Sequence, residues 1–364
     1  MSRERALARV STGAIASNCA QLQSRLVDGA ELCAVVKADG YGHGAPESAR
    51  AAMEGGATWL AVAAAEEALE LRHGGIEGPM LVMGALTSDE AHALVQAGVD
   101  VVAWTMGFAR SLSSGARVHV KLDTGMGRLG TKDPEEARAI AAEAARRDDT
   151  ELVGLMTHFA TADERGDEHF PIQLARFTEF VERMRTEYEG LVCHAANSAA
   201  TLRDPASHFD MVRCGVGIYG LDPFQSDPAD EGLEPALSLE SWVAAVRRFE
   251  AGDTAGYGRR WEAGEPRWVA TLPIGYGDGW RRALTNDCDV LIRGRRHPLA
   301  GTVSMDNVTV DLGADTDVEV GDAAVLIGAQ DGERILCEEV ARRLHTINYE
   351  VTCGLTQRVR REHR

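Results

Sequence analysis

From about residue 30 to 215, short apolar runs alternate with longer amphipathic segments. The runs are Leu32–Lys37, Thr58–Ala63, Met80–Met83, Asp100–Trp104, Arg117–Leu122, Glu151–Thr157, Leu191–His194 and Asp210–Arg213. Their Val, Leu and Ala residues do not alternate strictly with polar ones, which predicts strands buried on both faces of a parallel sheet. Between them, stretches such as Ala45–Gly55, Glu66–His73, Ser88–Gly98, Pro134–Arg147 and Phe170–Tyr188 have a helical pattern. Eight strand–helix units are the number that closes a (β/α)8 barrel. An open doubly wound sheet is the alternative, because periodicity does not report closure. The count favours the barrel.

Beyond Leu221 the texture changes. Asp222-Pro223 and the acidic stretch through Glu234 read as a linker. Strand-like segments follow at Leu237–Phe249, Arg267–Ile274, Asp289–Arg293, Val303–Leu312 and Ala323–Ile327, with one short helix around Glu338–His345. Gly-rich turns separate them, so a mainly β second domain is expected. The expected division is a barrel over residues 1–232 and a β-rich domain over 233–364. There is no tandem repeat and no low-complexity tract.

A chain of 364 residues suits two domains. Its formal net charge of -18, with no Lys/Arg-rich block, argues against nucleic acids and anionic membranes as partners. An anionic ligand must therefore be held by a local cluster of donors. The seven cysteines are dispersed without a CxxC pair, which argues against a disulfide framework or a metal site and suits a reducing cytoplasm. The first nine residues lack the apolar stretch of a secretory leader. The longest apolar run, near Ala57–Ala65, is far shorter than the roughly 20 residues of a membrane helix.

In such a barrel the chemistry collects at the C-terminal strand ends. The first run ends in Lys37 and continues Ala-Asp-Gly-Tyr-Gly-His-Gly. The fifth enters Lys121-Leu-Asp-Thr-Gly-Met-Gly-Arg128, the sixth ends in Thr157-His158-Phe159, the seventh in His194-Ala-Ala-Asn197-Ser198, and the eighth in Arg213-Cys-Gly-Val-Gly. A lysine ending an Ala-Val-Val run suits imine chemistry if it is desolvated. A snorkelling lysine weighs equally on that residue alone. The glycines after it tip the balance, since they let backbone approach a ligand. Asn197-Ser198 at a helix start and Gly215-Val216-Gly217 offer backbone N–H groups to a phosphate, although Asn-Ser also serves as a plain helix cap. Gly215–Gly220 fits the loose GxGxxG pattern but follows the last strand, and Asp222-Pro223 stands where a helix should run. Asp123-Thr-Gly125 lacks the β-fold context of an aspartic protease loop. Both matches are set aside.

Read together, Ala-Val-Val-Lys37-Ala-Asp-Gly-Tyr-Gly-His-Gly, Lys121–Gly130, Thr157–Asp163, Asn197-Ser-Ala-Ala, Val212–Gly220, Gly256-Tyr257-Gly258, Pro273–Trp280, Ser304-Met-Asp306 and Thr346-Ile-Asn-Tyr-Glu350 resemble the alanine racemases. The motifs run in order through both expected domains, from about residue 30 to 360. The resemblance implies a pyridoxal 5'-phosphate barrel of the third fold type with a β-domain, acting as a homodimer with shared active sites. It implies L- and D-alanine interconversion that supplies D-alanine for peptidoglycan. Lys37 would hold the cofactor and act as one base, and Tyr257 would be the second acid/base, reaching in from the other subunit. Arg213 would face the pyridine nitrogen. Tyr41, Ser198, Gly215 and Val216 would hold the phosphate, and His158, Asn197 and Gln357 complete the cofactor set. Arg128 and the backbone of Met305 would clamp the substrate carboxylate, His158 would orient Tyr257, and Tyr276 and Asp306 would line the entry. Lys121 matches a lysine that is often carbamylated and positions Arg128. No metal is implied.

These roles agree with elementary chemistry. Racemisation needs two acid/base groups flanking one carbon. A tyrosine phenol has an ordinary pKa near about 10, so its neighbours must activate it, and His158 beside Arg213 is a suitable chain. An arginine at the ring nitrogen donates and does not give up its proton, which disfavours transamination. One departure stands out. Where the family commonly has Tyr-Arg-Val-Pro-Arg, this chain reads Gln357-Arg-Val-Arg. A smaller side chain there suggests a roomier pocket and turnover of serine beside alanine. The competing readings are a decarboxylase of the same barrel type and a non-catalytic cofactor-homeostasis protein.

Overall fold

The computed structural model describes residues 4–364. Two units make up the chain, one of residues 15–224 with 231–233, the other of residues 4–14, 225–230 and 234–364. Strand β1 (Leu7–Val10) belongs to the second of these.

In the first unit, strands β2 (Glu31–Val35), β3 (Trp59–Val62), β4 (Met80–Val82), β5 (Asp100–Ala103), β6 (Ala116–Lys121), β7 (Thr150–Met156), β8 (Val192–His194) and β9 (Met211–Cys214) form a closed barrel. Every neighbouring pair is parallel, and β9 returns to β2 with Glu31 opposite Met211 and Ala34 opposite Cys214. Closure rules out the open sheet. Strands β3, β4 and β5 are buried at every position, as their unbroken apolar character requires. The expected strand Leu32–Lys37 stops at Val35, so Lys37 lies in the loop beyond it. Helices between strands include α1 (Ala45–Glu54), α2 (Ala65–His73), α3 (Ser88–Gln96), α4 (Pro134–Arg146), α5 (His169–Arg185) and α6 (Ser198–Arg203). Their ends follow local chemistry: Thr87 and Glu90 form a capping box before α3, and Asp133-Pro134 opens α4.

In the second unit, a seven-stranded sheet contains β1, β10 (Leu237–Trp242), β15 (Asp289–Ile292), β16 (Arg295–Pro298), β18 (Ala323–Gln330), β19 (Glu333–Ile335) and β20 (Arg360–His363). Strand β1 lies between antiparallel β10 and parallel β20. The N-terminal strand therefore sits in this sheet, whereas the expected boundary gave it to the barrel. Its half-buried alternation, with Ala8 and Val10 inside, is that of a sheet with one wet face. A second sheet joins β11 (Ala245–Phe249), β14 (Arg267–Leu272) and β17 (Val308–Gly313), and a ribbon joins β12 (Thr254–Ala255) to β13 (Trp261–Glu262). The single strand expected over Leu237–Phe249 is thus two strands. Val243 N–H bonds to Asp322 and Ala244 N–H to Thr271, so the chain changes sheets there. Residues 303–307, expected to be strand, are instead a turn closed by Ser304 N–H on Asn307 O. Two helices, α7 (Cys337–Arg343) and α8 (Asn348–Cys353), replace the one expected. Among the described residues, no helix is long and apolar enough to cross a membrane.

Candidate active site

Past β2 the backbone makes one left-handed turn. Ala38, Asp39, Gly40 and Tyr41 all have φ between 52° and 60°. Each non-glycine residue in that region costs roughly 1–2 kcal/mol, and only glycine enters it without strain. The turn is braced from outside. The Glu67 carboxylate on α2 accepts from Ala38 N at 2.6 Å, Ala63 N at 2.8 Å and Ala64 N at 3.0 Å, and Asp39 accepts from Ala45 N at 3.0 Å. Strain held this way is characteristic of functional loops. It leaves Lys37 half-buried, with its ammonium 6.0 Å from the centre of the Tyr41 ring.

The Tyr41 hydroxyl lies over Gly215, where a Cβ would run into it. Ser198 is buried at the start of α6, and its Oγ accepts from Gly215 N at 3.1 Å and Gly217 N at 3.2 Å. Asn197 caps the same helix by accepting from Ala200 N at 2.9 Å. Two hydroxyls and the 215–217 backbone therefore converge at one corner of the barrel mouth. Val216 opens the turn that follows and is buried.

Arg213 is 3% exposed and, among the described residues, has no carboxylate beside it. Its terminal nitrogens donate to His194 Nδ1 at 2.7 Å, Thr157 O at 2.8 Å, Ala195 O at 3.0 Å and His158 Nδ1 at 3.3 Å. Burial lowers its pKa to about 10, which still leaves it cationic at neutral pH. The Nε–H has no partner among the described residues. Because Arg213 donates to His194 Nδ1, that imidazole carries its proton on Nε2 and donates to His119 Nδ1 at 2.9 Å. His119 in turn donates from Nε2 to Asp100 at 3.1 Å. A file of buried, aligned donors runs through the barrel from Arg213 to a carboxylate. His158 is held neutral, its pKa pushed well down by burial and then by Arg213, Lys121, Arg128 and Lys37.

Lys121 is 4% exposed at the end of β6. Burial, Arg213 and Arg128 lower its pKa to about 8, so a minor fraction is neutral amine at neutral pH and most of it only above pH 8. Arg128 is exposed on the next loop, which Asp123 organises by accepting from Gly125 N at 3.0 Å, Met126 N at 2.8 Å and Gly127 N at 2.9 Å.

The other expected residues lie in the second unit, grouped around the segment 301–306. Tyr257 is 73% exposed, and its carbonyl accepts from Thr302 Oγ1 at 2.6 Å. Tyr276 N–H bonds to Ser304 O at 3.0 Å and Gly277 N–H to Met305 O at 2.9 Å. Gly275 lies flat against the Ser304 and Met305 carbonyls, where no side chain fits. Asp306 accepts from Arg358 at 2.6 Å, and Thr356 Oγ1 donates to Gly277 O at 2.9 Å. Those contacts carry the exposed Gln357 in the same cluster. Tyr276 and Met305 also stand exposed.

Comparison with known proteins places this arrangement. The family model for the alanine racemase N-terminal domain matches residues 10–223, and that for the alanine racemase C-terminal domain matches residues 236–363. The chain belongs to the alanine racemase family. It is 42% identical to an alanine racemase of Symbiobacterium thermophilum, over 97% of this chain and 96% of that one. The crystal structure of alanine racemase from E. faecalis superposes with a TM-score of 0.93 at 37% identity, covering 99% of this chain and 98% of that one. Alanine racemase from Bacillus anthracis with bound L-Ala-P superposes at 0.91 and 34% identity, covering 100% and 96%.

Membership in the alanine racemase family makes the chain an isomerase, and matches across both units set aside the decarboxylase and homeostasis readings. The sequence reading missed Glu67, Asp100 and His119. For His119 a signal existed. On β6 it stands two residues before Lys121, so both side chains face the same side of the strand.

Proposed function

We propose that the chain interconverts L- and D-alanine with pyridoxal 5'-phosphate, using Lys37 of one subunit and Tyr257 of the partner subunit as the two acid/base groups. The observation that carries this reading is the donor set at the barrel mouth: Lys37 past the first strand and, at the eighth, a buried guanidinium with an open Nε–H where a carboxylate would serve other chemistry. Tyr41, Ser198 and the 215–217 backbone fit a phosphate, Arg213 fits a pyridine nitrogen, and Lys37 fits an aldehyde carbon. When bound, the cofactor withdraws electrons from the substrate's Cα–H bond, which makes that proton removable.

The chain's own residues do the rest. Lys37 Nζ takes the proton from one face of Cα, and the Tyr257 hydroxyl delivers one to the other face; the reverse direction exchanges their roles. Arg128 and the Met305 backbone hold the substrate carboxylate. Neutral His158 accepts from Arg213 through Nδ1, which puts its proton on Nε2, where it can orient Tyr257. Arg213 stays charged and donates only, which keeps the returning proton on Cα. Tyr276 and Asp306 line the entry, and Asn197 fixes the helix start behind the phosphate. In a cytoplasmic setting the product would serve peptidoglycan synthesis.

Purified protein with cofactor should abolish the optical rotation of both L- and D-alanine, and borohydride should fix the cofactor's mass on Lys37. A label on any other residue, or none, would sink the assignment. The exposed Gln357 favours a second activity on serine. Comparable kcat/KM values for L-serine and L-alanine would support it, and undetectable serine turnover would remove it.

A further inference from the structure

Helix α5 runs along the outside of the barrel, and one of its faces carries His169, Gln173 and Arg176, spaced at i, i+4 and i+7. Gln173 is fully buried, which is unusual for an amide on an outer helix. Its Oε1 accepts from Ala160 N at 2.8 Å, while its Nε2 donates to His158 O at 3.1 Å and Thr124 Oγ1 at 3.3 Å. Only one orientation of the amide satisfies a backbone N–H and a backbone carbonyl together, so its partners fix it. Thr124 Oγ1 lies 2.8 Å from Thr157 Oγ1, which closes the link between the two loops.

The flanking residues grip the same loop. His169 Nε2 lies 3.1 Å from Gly125 O, and a Cβ on Gly125 would come within 2.6 Å of that ring nitrogen. Arg176 donates to Thr124 O at 3.0 Å. The loop leading to Arg128 is thus held by Asp123 at its own N–H groups and by α5 at its carbonyls.

We propose that Gln173 is a positioning residue that ties the loop carrying Arg128 to the strand end carrying His158, so that the carboxylate clamp and the group behind the second acid/base keep one fixed spacing. The inference rests on the reading of Arg128 and His158 given above. Gln173 touches neither substrate nor cofactor. It acts through backbone, at Ala160 N and His158 O, and through the Thr124 hydroxyl.

The test compares wild type, Gln173→Met and Arg176→Ala. Methionine fills the space and makes none of the three bonds; Arg176 is exposed, so its removal releases the loop without opening a cavity. Amide hydrogen exchange on cofactor-free protein should speed up at residues 125–127 in both variants and at Ala160 in Gln173→Met. On holoenzyme, Gln173→Met should lower kcat/KM for alanine on the order of tenfold to a hundredfold, through both KM and kcat, because small misplacements of positioned groups cost that much. Arg176→Ala should raise KM with kcat nearly unchanged. Unchanged exchange would overturn the clasp. So would a Gln173→Met enzyme whose only defect is a lower Tm. A wild type that fails to racemise alanine would sink the reading of the site instead, and the exchange data would still decide the clasp.

Discussion

At the scale of single residues, the candidate site depends on where charge is withheld. Among the described residues Arg213 has no acid at contact distance, and the nearest carboxylate along its hydrogen bonds is Asp100, two imidazoles away. Asp100 also accepts from Arg117 Nε at 2.9 Å, so it faces two donors. An amide has one oxygen and must turn its NH2 toward one of them. Asp100→Asn should therefore cost about 1–3 kcal/mol, the penalty of a buried polar group left unmatched. In nitrogen NMR of cofactor-free Asp100→Asn protein, the His119 proton should stay on Nε2, because His194 still donates to Nδ1, and that N–H signal should shift as its acceptor loses its charge. A proton found on Nδ1 would mean that Asp100, and not the file of donors from Arg213, sets the tautomer. Lys121 offers a second check. Its pKa of about 8 makes it a neutral nucleophile where an ordinary lysine, near about 10.4, is almost wholly protonated. Only the neutral amine adds carbon dioxide. With labelled bicarbonate, a carbamate carbon signal should grow as pH rises through about 8, fade on acidification, and be missing in Lys121→Ala. A signal indifferent to that substitution would place the carbamate elsewhere.

At the scale of elements, the sequence was readable where one force dominates and silent where several compete. Barrel strands are apolar on both faces, so runs such as Met80–Val82 are read directly from composition. The turn after Lys37 is another matter. Ala38, Asp39 and Tyr41 give no hint of positive φ, because glycine is the residue that normally signals it. Their conformation is imposed by tertiary contacts, chiefly the Glu67 carboxylate from 29 residues along the chain. Strand β20 was equally hidden: Arg360, Arg361, Glu362 and His363 carry no apolar pattern, and their pairing comes from β1 at the far end of the sequence. The turn makes a testable contrast with ordinary helix behaviour. Replacing alanine by glycine inside a helix loses roughly 0.5–1 kcal/mol. At Ala38 the same change removes about 1–2 kcal/mol of left-handed strain, which offsets the added entropy of the unfolded chain. Ala38→Gly should leave the denaturation midpoint unchanged or higher. A clear fall would show that the turn stores no strain.

At the scale of the whole molecule, the expected site residues fall into two sets on two units. Lys37, Tyr41, Lys121, Arg128, His158, Asn197, Ser198 and Arg213 belong to the barrel unit, and Tyr257, Tyr276, Met305, Asp306 and Gln357 to the other. The sequence order showed this division, but the reason for the second set's exposure lay outside any local pattern. Tyr257, Tyr276 and Met305 are large side chains that are costly to leave in water, and they share one surface cluster. Their exposure fits the proposed dimer, in which each Tyr257 completes the partner subunit's site. The arrangement has a consequence that separate monomeric sites would not. A Lys37→Ala chain and a Tyr257→Phe chain are each inactive or nearly so when alone. Refolded together in equal amounts, half the dimers should be mixed, and each mixed dimer should hold one site with both an intact lysine and an intact tyrosine. Activity should return to about a quarter of the wild-type value, as random pairing in a two-fold dimer requires. If both groups came from one chain, every site in the mixture would carry a defect and mixing would restore nothing.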